Sequence, residues 1–282
     1  MTRGYRLALG GGPAWTIVAD AGAAEWLDEF ARILQLPACS PGGASRLIVT
    51  RDAPREGSAA PVVRESRFVR FFQRPGSPDV TCVIGGKENH VKEHYKMWEL
   101  LLPVHESVGR RGGMPFHAAL LEKDGAGVLL SACGGTGKST CARRAPAPWR
   151  ALSDDECLIV RNGDAGYLVH PLPTWSVYLR KLAAPVWDVG TAVRLAGIFF
   201  LKQADRDEAV PLGAGEAVLR AYDAGQQVCQ YGLLAGGKGE RQVNARMLDN
   251  AGELVRRVPA YTLGVSLAGS FWEEIERVLT LS

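Results

Sequence analysis

One stretch leaves this chain few folds to choose from. Residues 126–140 read Ala126-Gly127-Val128-Leu129-Leu130-Ser131-Ala132-Cys133-Gly134-Gly135-Thr136-Gly137-Lys138-Ser139-Thr140. Val128, Leu129 and Leu130 predict a buried strand, Ser139 to Arg144 predict a helix, and a turn of small residues joins them. This is the P-loop pattern, with Ala132 where the first glycine usually stands; its methyl is tolerated at negative φ. Residues with little side chain let successive backbone N–H groups turn inward onto oxyanions, and the helix start adds the positive end of its dipole. On this pattern Gly134, Gly135, Thr136, Gly137, Lys138, Ser139 and Thr140 cradle a nucleotide. Lys138 reaches the β- and γ-phosphates and Ser139 holds Mg²⁺. The competing possibility is a glycine-rich turn with no ligand; the strand–loop–helix context favours the phosphate site.

Phosphoryl transfer also needs a second carboxylate for the metal and a group that accepts the attacking hydroxyl's proton. Asp154 and Asp155 follow Lys138 by 16 and 17 residues. On an extended backbone the two project to opposite sides and can divide those tasks. Taken alone, an Asp-Asp pair is more often a cap or a turn. His117 stands 21 residues before Lys138, on a predicted strand next to the P-loop strand. A histidine there can contact phosphate, although a lone histidine on an apolar strand is more often a satisfied core residue.

Phe116-His117-Ala118-Ala119, the hairpin into the glycine-rich loop, and Ser153-Asp154-Asp155 together resemble the catalytic domain of HPr kinase/phosphorylase. That family shares its nucleotide-binding fold with ATP-dependent phosphoenolpyruvate carboxykinase. The resemblance covers about residues 112–170, and its three-part spacing is more specific than the P-loop alone. It implies a kinase using ATP and Mg²⁺, with Asp154 similar to the general base, Asp155 to the metal ligand beside Ser139, and His117 to the phosphate-contacting histidine. Lys138 carries over as the P-loop lysine. The family's Glu-x-Arg-Gly-x-Gly segment is absent after residue 170, where His170-Pro171-Leu172-Pro173-Thr174-Trp175-Ser176 stands instead. The layout is closer to the HPr-kinase-like proteins of peptide-modification cassettes, among them the SynChlorMet cassette protein ScmC and the lasso-peptide kinases. That implies a hydroxyl on a peptide or a small molecule as acceptor, rather than HPr. The alternative, from another class, is a nucleotide-responsive scaffold that presents a peptide without transferring phosphate. A hydrolytic NTPase would need a water-positioning residue, and none is identified.

The expected fold is α/β: a P-loop core of HPr kinase/phosphoenolpyruvate carboxykinase type with a mixed sheet over residues 111–282, and a smaller α+β region over residues 1–110. Arg110-Arg111-Gly112-Gly113 marks the boundary. Core strands are expected at 116–121, 126–131, 157–160, 167–171 and 195–203. The N-terminal region predicts a hairpin within 5–19, a helix over 21–34, and strands at 46–50, 68–73 and 80–84, the second with edge character. A helical stretch over 88–108 is interrupted at Pro103. It contains His90-Val91-Lys92-Glu93-His94, which matches a zinc-protease arrangement but sits among charges and lacks a third ligand. Ser176 is expected to cap a helix through Leu182, and Ser270 a final helix over 271–279. Residues 213–224 and 243–258 read as helical, with 236–241 between them as a mobile lid.

Composition narrows the class further. The net charge of +3 is too weak to argue for nucleic acid or an anionic membrane surface. No apolar run approaches the ~20 residues that span a bilayer, and Met1-Thr2-Arg3-Gly4-Tyr5 lacks a signal-peptide core. A cytoplasmic protein is expected, with a homo-oligomer compatible with the sequence. Six scattered cysteines without a CxxC pair then read as small buried hydrophobes, with Cys133 inside the P-loop as the reactive exception.

Overall fold

The computed structural model describes residues 4–43, 45–53, 62–180, 187–229 and 238–280. Among them the chain forms two mixed sheets flanked by helices, an α/β architecture. The first sheet comprises β1 (Gly4–Ala8), β2 (Ala14–Ala19), β3 (Ala38–Cys39), β4 (Arg46–Thr50), β5 (Val62–Glu65), β6 (Arg70–Gln73) and β7 (Val80–Val83), ordered β3-β1-β2-β4-β7-β6-β5. The predicted hairpin is the antiparallel pair β1–β2. Helix α1 (Ala24–Leu34) then carries the chain across the sheet, so that β4 pairs with β2 in parallel. It starts later than predicted because Asp20 Oδ1 accepts the Ala23 N–H at 3.0 Å and holds residues 20–23 as a turn. Trp26, Leu27, Phe30, Ile33 and Leu34 face the core.

The expected edge strand, β6, is interior. β5 covers it on its outer side, although Arg70 does face solvent as predicted. Pro103 divides the long helical stretch into α2 (His90–Glu99) and α3 (Leu102–Gly109) and sits in the first turn of α3, where its missing N–H costs nothing. Asn89 caps α2 by accepting the Lys92 N–H at 3.0 Å. The zinc-like motif is used for packing. His90 Nε2 lies 2.7 Å from the Tyr178 carbonyl, His94 Nδ1 lies 2.8 Å from the His90 carbonyl, and Glu93 pairs with Lys96 at 3.0 Å.

The second sheet contains β8 (Met114–His117), β9 (Ala119–Lys123), β10 (Ala126–Ser131), β11 (Arg150–Ser153), β12 (Glu156–Arg161), β13 (Tyr167–Leu172), β14 (Val193–Gln203), β15 (Glu208–Pro211) and β16 (Ala260–Val265). Its main path is β11-β9-β10-β14-β13-β12-β8, with β16 on β14 and β15 on β16. The strand expected over 116–121 is broken at Ala118. β8 and β9 nevertheless form one side of a single antiparallel ribbon whose other side is β11 and β12. Ser153 opposes Leu120 and Glu156 opposes His117 in unbroken register. The sheet therefore curls round and returns to the ribbon it started from, and the ribbon bends where Ala118 faces Asp154 and Asp155.

The remaining helices are α4 (Lys138–Arg144), α5 (Trp175–Leu179), α6 (Ala214–Cys229), α7 (Lys238–Arg257) and α8 (Phe271–Leu279). Lys238 to Arg241, expected in a mobile lid, belong to the first turn of α7; Gly236 and Gly237 lie outside the described residues. Ser176 lies inside α5, behind an N-cap at Thr174, and residues 181–182 fall outside the described residues. Ser270 occupies the N-cap of α8 without a side-chain capping bond. Among the described residues no helix is long and apolar enough to cross a membrane. Cys82, Cys141, Cys157 and Cys229 are buried as expected, but Cys39 is partly exposed and Cys133 is exposed.

Among the described residues, three hydrophobic cores hold the fold. One packs α1 and α3 on the first sheet and continues into Leu158, Val160, Leu172, Trp175 and Tyr178 of the second half of the chain. Another packs α6 and α7 on the inner face of the second sheet through Phe116, Ala221, Ala224, Met247 and Ala251. The third packs α4 and α8 on the opposite face through Cys141, Phe199, Phe271 and Ile275.

His105 of α3 is 5% exposed, and neither ring nitrogen has a hydrogen-bond partner. Burial, and then Arg64, push its pKa from 6.5 down to about 4; Glu106 and Arg246 line the same cleft. A depressed histidine contributes stability that is present above its unfolded pKa and lost as pH falls toward its folded one. His105 is thus expected to remove about 3 kcal/mol between roughly pH 6.5 and 4, at ~1.4 kcal/mol per unit. Urea unfolding of wild type and His105→Phe across that range should show the variant's pH dependence shallower by that amount. Parallel curves would refute the assignment.

Candidate functional site

The site is assembled where β10 ends and the ribbon bends. β10 is buried along its whole length, so the chain must leave the sheet abruptly after Ser131. It does so through Ala132 to Gly137. Gly135 and Gly137 have φ of +82° and +118°, where L side chains are strained. A Cβ added at Gly134, Gly135 or Gly137 would meet no atom within 4 Å, so these three positions face open space. Lys138 opens α4 and bends back across the loop, its Nζ donating to the Ala132 carbonyl at 2.6 Å. Its side chain is buried. Burial lowers its pKa, while Asp155, and more weakly Cys133 and Asp154, raise it.

The ribbon brings the other partners. Ser131 Oγ donates to the His117 carbonyl at 2.9 Å, tying the end of β8 to the foot of the glycine-rich loop. His117 Nδ1 lies 3.4 Å from Asp155 Oδ1. Burial, then the Lys138 charge, push His117 down to about 4, so the ring is neutral at physiological pH. Its contact with Asp155 is that of a neutral imidazole beside a carboxyl group, not an ion pair. Burial chiefly, and Asp154 next, raise the pKa of Asp155, against the opposing pull of Lys138. His117, Lys138 and Asp155 thus lie close enough to perturb one another's charge.

The aspartates do not sit on an extended strand. They occupy the bend between β11 and β12, spanned by the Ala118 N–H donating to the Asp155 carbonyl at 3.0 Å. Asp155 turns to His117, while Asp154 Oδ1 accepts the hydroxyl proton of Thr174. Thr174 is a neighbour of Asp154 that spacing does not reveal; it sits in the proline-flanked turn after β13. Ser139 is partly exposed in the first turn of α4 and Thr140 is exposed.

The donor set decides which metal chemistry fits. Among the described residues no group of three His, Cys, Asp or Glu side chains is placed to hold a metal. Ser139 and Asp155 offer a few hard oxygens, which suits Mg²⁺, an ion that keeps waters and takes the rest of its shell from phosphate. The three open glycines and Lys138 suit the phosphate itself.

Fold and site together define an α/β protein in which a glycine-rich strand–loop–helix turn faces a bent Asp-Asp ribbon and a neutral histidine. Residues 80–280 match the family described as SynChlorMet cassette protein ScmC. The chain belongs to that family, and the matched segment contains every residue of the site. No curated protein matches the chain.

Proposed function

We propose that the protein is an Mg-ATP-dependent kinase of the HPr-kinase-like P-loop type, acting in the cytoplasm. It transfers a γ-phosphoryl group to a serine-type hydroxyl on a peptide or small-molecule acceptor. The observation that carries this reading is the convergence of His117, Lys138 and Asp155 beside the open glycine turn, with Asp154 at the same bend. Mg-ATP, when bound, supplies the transferable phosphoryl group and a divalent charge. Gly134 to Gly137 offer backbone N–H groups to phosphate oxygens, and Lys138 places its charge where negative charge accumulates. Ser139 and Asp155 would hold the metal, whose charge would offset that of the phosphates. Neutral His117 contacts a phosphate oxygen by hydrogen bonding without adding a charge. Asp154 accepts the proton of the acceptor hydroxyl as that oxygen bonds to phosphorus and the bond to the bridging oxygen breaks. Membership of a cassette protein family is in keeping with a peptide acceptor.

Calorimetric titration of ATP into wild type and Lys138→Ala, with Mg²⁺ and with EDTA, tests the first requirement. Wild type is expected to bind only with Mg²⁺. Lys138→Ala should bind roughly thirtyfold more weakly or worse, because a charge-assisted contact contributes ~2 kcal/mol. Absence of binding to wild type, or equal binding by the variant, would sink the kinase reading.

A further inference from the structure

Thr174 occupies the N-cap position of α5, where a threonine hydroxyl ordinarily accepts a backbone N–H of the first turn. It makes no such bond. Its hydroxyl donates instead to Asp154 Oδ1, 20 residues earlier in the chain. Thr174 is 5% exposed, so water does not compete freely for that contact. A carboxylate with one oxygen engaged loses rotation about its terminal torsion, and its second oxygen keeps a fixed direction. A general base needs that restriction, because proton transfer depends on a short, aligned approach.

The position of Thr174 is set from the N-terminal half of the chain. Trp175 and Tyr178 of α5 belong to the same core as α1 and α3. The Tyr178 carbonyl lies 2.7 Å from His90 Nε2, and the Tyr178 ring stacks on His94 with centroids 5.9 Å apart. Both histidines are on α2. A second contact from the same helix reaches the other side of the aspartate bend, where Trp98 hydrogen-bonds the buried side chain of Glu156, the residue after Asp155. Helix α2 therefore touches the segments on both flanks of the Asp154–Asp155 bend.

We propose that Thr174 is a positioning residue that orients the Asp154 carboxylate for proton abstraction, and that α2 of the N-terminal half holds Thr174 in place through α5. The proposal rests on the kinase reading above and adds to it a role for the first hundred residues: without them the base has no fixed orientation.

The test uses the full chain with Mg-ATP and a short serine-containing peptide as the acceptor probe, and ADP release above the peptide-free rate as the readout. Thr174→Val keeps the shape and removes the hydroxyl; Thr174→Ser keeps the hydroxyl. Thr174→Val is expected to lower kcat by about 10- to 100-fold, less than the ~100- to 10,000-fold of losing a general base outright because the base is still present, with KM for ATP and calorimetric affinity within about twofold of wild type. Thr174→Ser should recover kcat to within about threefold. His90→Ala, remote from the aspartates, should lower kcat in the same direction with ATP affinity retained. Turnover by Thr174→Val within about twofold of wild type would overturn the positioning role. So would equal losses in the valine and serine variants, since that pattern reports packing and not the hydroxyl. A wild type that binds Mg-ATP but releases no ADP would overturn the base assignment itself, and the positioning role with it. That failure is distinguishable, because it shows in the wild type before any variant is compared.

Discussion

Asp154→Asn is expected to lower phosphoryl transfer about a thousandfold while leaving Mg-ATP affinity within about twofold of wild type, a range typical of losing a general base. The substitution is unusually clean here. The asparagine carbonyl still accepts the Thr174 hydroxyl at the position of Oδ1, so the side chain stays oriented. The atom that changes is the other one, where an N–H₂ donor replaces an oxygen able to take a proton. Lys138 and Asp155 keep their relation to His117, because the bend is held by the Ala118–Asp155 backbone bond and not by Asp154. Rapid-quench transfer from labelled ATP to an acceptor peptide, together with calorimetry, measures both quantities. A nucleotide-responsive scaffold would give a different result: Asp154→Asn would bind ATP normally and retain whatever partner interaction wild type has, with no transfer to lose. Full transfer activity in Asp154→Asn would instead remove Asp154 from the base role.

The grouping of the candidate site residues was more legible in the sequence than the architecture that positions them. The glycine-rich turn could be read because its geometry is local: a buried strand must exit, only small residues can make the exit, and a helix follows within a few positions. His117 and the aspartates lie near it because the ribbon keeps one register from Ser153–Leu120 to Glu156–His117, past the shift at Ala151, which converts sequence separation into spatial separation. The break at Ala118 was not visible, since Ala118 and Ala119 carry no glycine, proline or turn-forming side chain to mark it. It follows from the sheet curling back on itself, a tertiary demand. β5 was hidden for a related reason. Val62-Val63-Arg64-Glu65 is too short and too charged to stand out, and it is a strand only because β6 needs a neighbour. The first turn of α7 looked like a loop because Gly239 lies within it. Thr174 carries no periodic signal at all; its role is defined by one hydrogen bond across 20 residues.

Phe116→Ala is expected to be the most destabilising truncation in the ribbon, at about 4 kcal/mol, the middle of the range for buried phenylalanines. Phe116 is 0% exposed and points from β8 into the core formed with α6 and α7. Its neighbours there include Ala221 and Ala224 of α6 and Ala251 of α7, whose side chains are already minimal. Met247 of α7, already against Gly225, is a flexible side chain that fills part of the space. Closing the cavity would require moving α6, which Gly225 already brings so near the sheet that an added Cβ would lie 2.7 Å from Met114 and 3.3 Å from the Pro115 carbonyl. Most of the cavity term therefore survives, reduced by what Met247 fills. Urea unfolding followed by tryptophan fluorescence should show the midpoint falling with an unchanged slope, the signature of lost stability without a change in surface exposed. Because His117 is the next residue, native Phe116→Ala should also bind Mg-ATP with a looser ribbon and transfer phosphate more slowly at temperatures where it is still folded. A loss under about 1 kcal/mol at constant slope would mean that the inner face of β8 does not bear on α6, and that the ribbon carrying His117 is supported elsewhere.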